Sequence, residues 1–406
     1  MKRILLIFLV FPISAIANLN FGKDFSLNQF HLEEFKEKFN ETFFESNYPE
    51  TVSVNGSEFE IEYSINKVLE KKVKRLLRRH RSDFASVVII DNNTGKLLTA
   101  IDYTKATKKF GTSLSFSSTN PAASIFKVIT AADMLENKKI SKETEFSYSG
   151  KGSTLYKYQL KNKKNKWTRT IQFKKAFARS NNVVFGKAAQ KNTTAKSIRK
   201  TANKFGFYDD LFQLLDAGES QVFVASTNYA LAELASGFNK ATMISPTHGA
   251  IIASVIANGG VLKTPTLVTK VTEKNKTRVL WQPEEIYKKV LSDNSAKELD
   301  SMMKLTVKSG TARGAFKPWK MKRIKNIEVA GKTGSITGGV PYGKRDWFVS
   351  YAKPNDIEGD AGISVCIMIV NVKKWYIKST YLAKKIIQYY YDGLKKDEQK
   401  QKVVKL

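Results

Sequence analysis

Three kinds of residue are scarce in this 406-residue chain, and each scarcity excludes a class of protein. The single cysteine, Cys366, excludes an intramolecular disulfide framework and a cysteine-rich metal site, and its apolar surroundings are typical of a buried structural thiol. Three histidines without clustered carboxylates argue against a metal hydrolase, so no metal or other cofactor is expected. Only 37 acidic residues accompany 68 basic ones, which gives a net charge of +31 at pH 7.

The positive charge is spread along the whole chain. There is no zinc-finger spacing, no aromatic-basic RNA-binding signature and no isolated basic domain, which argues against a nucleic-acid partner. Diffuse basicity suits an anionic environment such as a membrane surface or a cell-wall polymer. A background bias toward lysine is the alternative explanation.

The N-terminus has the pattern of an export signal. The basic pair Lys2-Arg3 precedes an apolar run from Ile4 to Ile13, and Ser14-Ala15-Ile16-Ala17 follows. We interpret residues 1–17 as a signal peptide cleaved after Ala17. The apolar run is short for a membrane span, and an uncleaved anchor is the alternative. The protein is therefore expected to be exported, and periplasmic or cell-envelope associated.

The remaining chain predicts an α+β fold. Residues 18–60 form a short N-terminal extension with one amphipathic helix over 27–44. Residues 61–392 give a β-hairpin, a long helical middle, three further strands and a terminal helix, and a basic tail covers 393–406. The simplest architecture is an antiparallel five-stranded sheet flanked by helices, plus an all-helical lobe, with a cleft between the lobes. The five predicted strands are 84–90, 96–101, 327–336, 347–351 and 362–372.

The stretch from Asn120 to Leu135 predicts a buried helix that begins near Pro121. Ser124 and Lys127 lie three residues apart and therefore share a face. A desolvated lysine has a lowered pKa and can act as a neutral base, and a serine beside it becomes a usable nucleophile. Alone, Ser-x-x-Lys is a weak signal, because solvated surface pairs have the same spacing.

Two further motifs strengthen this signal. Ser180-Asn181-Asn182 lies at a helix-to-helix junction, and Lys332-Thr333-Gly334 lies inside a predicted strand. Separately they could be an ordinary helix cap and an ordinary turn. The ordered set Ser-x-x-Lys, Ser-x-Asn and Lys-Thr-Gly occurs in β-lactamases and penicillin-binding proteins. The competing Ser-His-Asp scheme has weaker support, since no histidine has a convincing acid/base context; the histidines are His31, His80 and His248.

On these motifs the chain resembles the transpeptidase domain of penicillin-binding proteins. Other similar segments extend the resemblance over roughly residues 61 to 392; they are 91–98, 215–220, 244–261 and 310–312. The family usually has Pro-Gly before the nucleophile, where this chain has Pro121-Ala122-Ala123. Residues 18–60 are too few for a glycosyltransferase or pedestal domain, so a nearly bare transpeptidase domain is expected. Such a domain would need a glycosyltransferase or scaffold partner.

The chemistry of acyl transfer gives each motif a role. Ser124 is the expected nucleophile and Lys127 its base, with a pKa lowered by burial and by Lys332. Ser180 is placed to pass a proton to the leaving group. Asn182 can donate or accept a hydrogen bond at the substrate's peptide amide.

The Lys-Thr-Gly strand supplies the expected substrate anchor. Lys332 maintains a positive field and binds a substrate carboxylate together with the hydroxyls of Thr333 and Ser335, beside Gly334. The resemblance implies an oxyanion hole formed by the backbone N–H groups of Ser124 and Ser335. Two such donors contribute about 3 kcal/mol each to the transition state.

The resemblance implies an exported serine D,D-transpeptidase that cross-links peptidoglycan stem peptides through an acyl-Ser124 intermediate and is acylated by β-lactams. A D,D-carboxypeptidase, with water as acceptor, is the close alternative. A class D-like β-lactamase is less similar, because that family has valine where Asn182 stands. A non-catalytic cell-wall scaffold that keeps the fold is the alternative outside enzymes.

Overall fold

The computed structural model describes residues 29–161, 163–223 and 226–404. The predicted signal peptide lies outside these residues. The helices are α1 Gln29–Ser46, α2 Lys67–His80, α3 Ser113–Phe116, α4 Lys127–Glu136, α5 Phe173–Ala178, α6 Asn182–Asn192, α7 Ala195–Lys204, α8 Asn228–Ser236, α9 Pro246–Ala257, α10 Asp293–Lys308 and α11 Ser379–Val404. Short 3-10 turns cover Ala123–Phe126, Lys157–Leu160, Pro318–Lys320 and Lys322–Ile324.

The strands are β1 Thr51–Val54, β2 Ser57–Tyr63, β3 Phe84–Asp91, β4 Leu97–Thr104, β5 Lys109–Gly111, β6 Asn120–Pro121, β7 Glu145–Tyr148, β8 Arg169–Gln172, β9 Met243–Ile244, β10 Val261–Lys263, β11 Val268–Glu273, β12 Val279–Trp281, β13 Tyr287–Lys289, β14 Ile327–Gly338, β15 Gly343–Pro354 and β16 Ile363–Asn371.

The main sheet is antiparallel, with strand order β14-β15-β16-β3-β4-β5. It joins both ends of the chain through the β16–β3 pair, in which Ile363 opposes Asp91. The α+β class and the five predicted strands are confirmed, and the short β5 adds a sixth strand beside β4. β14 lies at the opposite edge, so one side of the Lys-Thr-Gly strand has no neighbouring strand within the sheet.

Helices cover both faces of this sheet. All nine residues of β16 are buried, as expected of a central strand that packs on both sides. On one face α4, α9 and the helical lobe form a large apolar core. On the other face α2 and α11 pack side by side over a second core. The Ser-x-x-Lys segment belongs to the first face.

The N-terminal extension is more structured than the sequence predicts. The helix predicted over 27–44 runs from Gln29 to Ser46 in the described residues, and a hairpin of β1 and β2 follows it. β2 pairs with β11 and β11 with β12, which makes a second, four-stranded sheet. β2 alternates exposed glutamates with buried or half-buried apolar residues, and Asn55-Gly56 forms the turn before it. The segment therefore carries a hairpin signal that the prediction for residues 18–60 overlooked.

Two helix boundaries differ from the prediction. Pro121 does not begin the helix, because Asn120 and Pro121 pair with β9 and the helical turn starts at Ala123. The terminal helix continues to Val404, through the basic tail predicted over 393–406. Lys, Gln and Glu, which are frequent in this tail, are good helix formers.

Candidate active site

Helix α4 is buried, and hydrogen bonds to α7 hold it in place. All residues from Lys127 to Leu135 are buried. The buried carboxylate of Asp133 accepts hydrogen bonds from Ser197 Oγ at 2.6 Å and Thr201 Oγ1 at 2.9 Å. These bonds join α4 to α7, and they therefore also help to hold Ser124 and Lys127 in place at the start of α4.

The backbone turns sharply just before Ser124. Ala123 has φ of +52°, a left-handed conformation that costs a non-glycine residue about 1 kcal/mol. Its carbonyl oxygen packs against Gly237, where an added Cβ would lie only 1.8 Å away. Gly237 itself ends α8 with φ of +62°. Small residues on both segments, Ala123 and Gly237, therefore permit this close approach.

Lys127 has three polar neighbours in an otherwise apolar pocket. Its Nζ lies 2.9 Å from Ser124 Oγ and 2.7 Å from Asn182 Oδ1, and it also contacts the carbonyl oxygen of Ser236. The ring of Phe185 lies 5.4 Å away. The side chain is fully buried, and no carboxylate is among these neighbours.

The environment of Lys127 favours its neutral form. Burial, followed by the charge of Lys332, holds the pKa of Lys127 well below its usual range. A neutral amine has two N–H donors and one lone pair. The oxygens of Asn182 and Ser236 can accept the two N–H groups, and the lone pair is then left for the hydroxyl of Ser124. In this geometry the Lys127 amine can take the proton from Ser124 Oγ as that oxygen attacks a substrate.

A second lysine–serine pair faces the first from the sheet. Lys332 Nζ lies 3.1 Å from Ser180 Oγ and donates to the carbonyl oxygen of Thr333 at 2.9 Å. Burial lowers the pKa of Lys332 to about 7. Phe177 lies beneath the ammonium, 5.5 Å from it. A proton can therefore be exchanged near neutral pH between this lysine and a group that Ser180 contacts.

The Ser-x-Asn motif is held by its neighbours on both sides. Ser180 has φ of +54°, and Asn181 caps α6 by accepting from Val184 N–H at 3.0 Å. Asn182 donates through Nδ2 to the carbonyl oxygen of Ser153 at 2.9 Å while its Oδ1 faces Lys127. In this structure Asn182 therefore positions Lys127, in addition to the substrate contact expected from the sequence.

The Lys-Thr-Gly strand forms the other wall of the cleft. Thr333 Oγ1 lies 2.5 Å from Thr311 Oγ1, so the Gly310-Thr311-Ala312 segment reaches the site. Gly334 packs against the nucleophile turn, and an added Cβ would come within 3.3 Å of Ala123 Cβ and Ile125 N. Ser335 is exposed on the free edge of the sheet.

The β14–β15 hairpin is tied directly to the segment before Ser124. Arg345 Nε donates to Asn120 Oδ1 at 2.9 Å, and Trp347 Nε1 donates to the carbonyl oxygen of Pro121 at 3.2 Å. Both side chains are buried. These contacts fix the distance between the serine turn and the edge strand.

The structure thus brings together the three predicted motifs. Sequence reasoning missed the Ser236 carbonyl and Gly237, and it noted the segment 310–312 without giving Thr311 a role in the site. The helix-ending glycine and the Gly-Thr-Ala segment can be recognised in the sequence. The backbone carbonyl that contacts Lys127 cannot, because every residue type has one.

The histidines have other environments. His248 is buried with Nε2 2.9 Å from the Phe205 carbonyl oxygen, and burial lowers its pKa to about 4. His80 contacts the ring of Tyr381 at the end of α2. Across residues 29–161, 163–223 and 226–404, no group of three His, Cys, Asp or Glu side chains is arranged to hold a metal ion.

Comparison with known proteins identifies the class that this fold and site define. A family model described as the penicillin binding protein transpeptidase domain matches residues 85–388. Since the match covers most of the chain, the protein belongs to that family. Its members are associated with the cell envelope. In the described part of this chain, no helix combines the length and apolar character needed to cross a membrane.

Individual relatives agree with this assignment. Penicillin-binding protein 1A of Clostridium perfringens is 27% identical over 220 residues, which cover 52% of this chain and 30% of that protein. The chain thus spans less than a third of the length of this curated relative.

Two solved structures share the fold. The D,D-transpeptidase domain of a peptidoglycan glycosyltransferase from Eggerthella lenta is 22% identical, with a TM-score of 0.65 over 83% of this chain and 84% of that one. Penicillin-binding protein A from M. tuberculosis, in a ceftriaxone acyl-enzyme complex, is 20% identical, with a TM-score of 0.62 over 81% and 78%.

Proposed function

We propose that this protein is a serine D,D-transpeptidase that cross-links peptidoglycan stem peptides. The observation that carries the proposal is the position of the Lys127 amine, 2.9 Å from Ser124 Oγ, with its other two polar contacts occupied by oxygens. That arrangement supplies a base to a serine without histidine or metal. The names of the similar solved structures, which include a D,D-transpeptidase domain and an acyl-enzyme complex, support it.

In the first step Ser124 Oγ attacks the carbonyl carbon of the penultimate D-Ala. Lys127 takes the hydroxyl proton, and a tetrahedral oxyanion forms. The C–N bond to the terminal D-Ala then breaks, and Ser180 delivers a proton to the departing amine. The acyl group remains on Ser124 as an ester.

Lys332 and its strand hold the substrate during this step. The protonated Lys332, with the hydroxyls of Thr333 and Ser335, binds the terminal carboxylate. The backbone N–H groups of Ser124 and Ser335 stabilise the oxyanion, and removing one such donor typically slows a reaction about 100- to 1,000-fold. An extended peptide can lie along the free edge of β14 and pair with its backbone.

In the second step the acyl group is transferred to an amine of a neighbouring stem peptide. The amine attacks the ester carbonyl and gives one proton to Ser180, which replaces the proton that Ser180 delivered in the first step. The C–O bond to Ser124 then breaks, Lys127 returns its proton to Ser124 Oγ, and an amide cross-link results. If water attacks instead, the same site is a D,D-carboxypeptidase. A glycosyltransferase or scaffold protein is the partner we propose for the cross-linking reaction. Export through the N-terminal signal is part of the same proposal.

The first test is intact-mass spectrometry after incubation with benzylpenicillin, a β-lactam that mimics the D-Ala-D-Ala terminus. We expect a long-lived adduct on the wild type, none on Ser124→Ala, and an unchanged adduct on the control Ser147→Ala, which alters a partly buried serine of β7. A transient adduct with consumption of the penicillin would instead indicate a β-lactamase. A stable fold without any adduct would refute the acyl-transfer proposal and favour a scaffold.

A further inference from the structure

The back face of the sheet, away from the nucleophile, carries a dense positive charge. Helix α2 has seven lysine and arginine residues among fourteen. Its one carboxylate, Glu70, is buried and paired with Lys74 at 2.8 Å. Lys71 and Arg75 are exposed to solvent. An ordinary amphipathic surface helix balances its cations with acids, and α2 does not.

Helix α11 places further cations beside α2. The ring of Tyr381 contacts His80, and Lys72 Nζ lies 4.7 Å from the ring centroid of Tyr389. Burial, then the charges of Arg79 and Lys385, lower the pKa of His80. The two ring contacts join α2 and α11, so the cations of both helices form one surface.

The segment 317–325 extends this surface. It contains five lysine or arginine residues and no acid. It is joined to α11 by a hydrogen bond from Gln388 Nε2 to the carbonyl oxygen of Lys320 at 2.8 Å. The charges of Lys385 and Lys320, after burial, lower the pKa of Lys384. We define the back-face cationic surface by its exposed members Lys71, Arg75, Arg79, Trp319, Lys320 and Lys385.

Apolar and aromatic side chains are exposed among these cations. Trp319 is 61% exposed and Val68 is 69% exposed. Tyr381 is 37% exposed, between Lys384 and Lys385. A site for a soluble polyanion needs cations alone. Exposed tryptophan and tyrosine beside lysine are instead characteristic of residues that lie at a membrane–water interface.

We propose that the back-face cationic surface docks the protein onto an anionic membrane surface. Cations lie over the lipid phosphates, and Trp319 and Tyr381 enter the headgroup region. The proposal does not depend on the acyl-transfer function. It also predicts how the protein is oriented on the membrane, because α4 and Ser124 lie on the face of the sheet opposite to α2 and α11. A molecule docked through α2 and α11 holds its cleft away from the membrane, toward the wall.

The test compares the full-length protein with a charge-neutralised variant, Lys71→Gln/Arg75→Gln/Lys385→Gln. Binding is measured by co-sedimentation with phosphatidylglycerol-containing vesicles and with pure phosphatidylcholine vesicles, at low and high salt. The wild type is expected to prefer the anionic vesicles and to lose that preference as salt increases. Each cation near an anionic surface contributes about fivefold to the affinity, so the triple variant should bind roughly a hundredfold more weakly.

The matched control removes the same net charge from the helical lobe, as Lys191→Gln/Lys196→Gln/Lys200→Gln. These three lysines are exposed on α6 and α7. The control should bind anionic vesicles as the wild type does. Far-UV circular dichroism and urea unfolding, which should match those of the wild type, report that both triple variants are folded. Equal loss in the two triple variants would refute the proposal, since binding would then follow net charge.

A second variant separates a membrane from a soluble polyanion. Trp319→Ala should weaken binding to anionic vesicles severalfold and leave binding to soluble polyphosphate unchanged. If Trp319→Ala leaves vesicle binding unaltered, or if polyphosphate binds as tightly as the vesicles, the surface is a polyanion site and the membrane proposal is wrong. Absence of any preference for anionic over neutral vesicles would also overturn it.

Discussion

Replacing Lys332 with methionine should stabilise the fold at and below neutral pH. In an unfolded chain a lysine has a pKa of about 10.4. Burial lowers the pKa of Lys332 to about 7, so between these values the folded protein binds fewer protons than the unfolded one. The free energy of unfolding of the wild type therefore rises with pH across this window and is lowest below pH 7. A methionine at position 332 does not titrate, so its contribution to the free energy of unfolding does not change with pH.

The expected size follows from the same values. The lowering of the Lys332 pKa from 10.5 to about 7 reduces the free energy of unfolding of the wild type by about 5 kcal/mol at pH 6.5. Lys332→Met also loses the hydrogen bonds to Ser180 and Thr333, worth about 1 kcal/mol each. A net gain of about 3 kcal/mol is expected at pH 6.5. At pH 9 only about 2 kcal/mol of the desolvation cost remains, and the gain falls to near zero.

The measurement is urea unfolding at pH 6.5 and pH 9, monitored by tryptophan fluorescence, with each variant compared with the wild type at the same pH. The buried Trp347 on the neighbouring strand reports on this region. Lys344→Met, an exposed lysine of β15, is the matched control and should change stability by less than about 0.5 kcal/mol at both pH values. A destabilised Lys332→Met, or the same gain at both pH values, would refute the reasoning.

Two further predictions concern the rate of acylation by benzylpenicillin, measured by stopped flow. The second-order rate should fall about tenfold per pH unit above pH 7, as Lys332 loses its proton, and should fall again in acid as Lys127 gains one. Lys332→Arg stays charged, so its acylation rate should not fall at alkaline pH. If the rate of this variant still falls, the alkaline dependence belongs to another group. Gly237→Ala should slow acylation about 100-fold, because its Cβ would displace the Ala123 carbonyl and the nucleophile turn. Gly259→Ala has the same φ but open space, so it should cost about 1 kcal/mol of stability with normal acylation; equal rates in the two variants would contradict this.

The sequence predicted side chains well and backbone geometry poorly. Ser124 and Lys127 could be paired from their spacing alone, and the motif order placed Ser180 and Lys332 near them. The main sheet was also predictable, because its central strands are long runs of buried β-branched residues.

Two features of the site that escaped prediction lack a side-chain signature. The third neighbour of Lys127 is the carbonyl oxygen of Ser236, 109 residues away, and any residue type supplies a carbonyl. The left-handed conformation of Ala123 could not be read from an alanine, which seldom adopts it. The β1–β2 hairpin is different, because its alternating apolar face and its Asn55-Gly56 turn were present in the sequence and were overlooked. Only its pairing with β11, more than 200 residues further on, has no local signal.

Part of the backbone strain in this protein lies where acyl transfer is proposed. Ala123 and Ser180, both non-glycine residues with positive φ, each cost about 1 kcal/mol, and two buried lysines lie between them. With about 5 kcal/mol for Lys332 alone, the sum approaches the 5–15 kcal/mol net stability of a typical domain. Such a site persists only because the surrounding core holds it, through Asp133 on one side and Arg345 on the other. A ligand carboxylate that pairs with Lys332 would raise its pKa and offset part of this cost. The features that destabilise the site without a ligand are therefore those that would favour binding of the proposed substrate, which ends in a carboxylate.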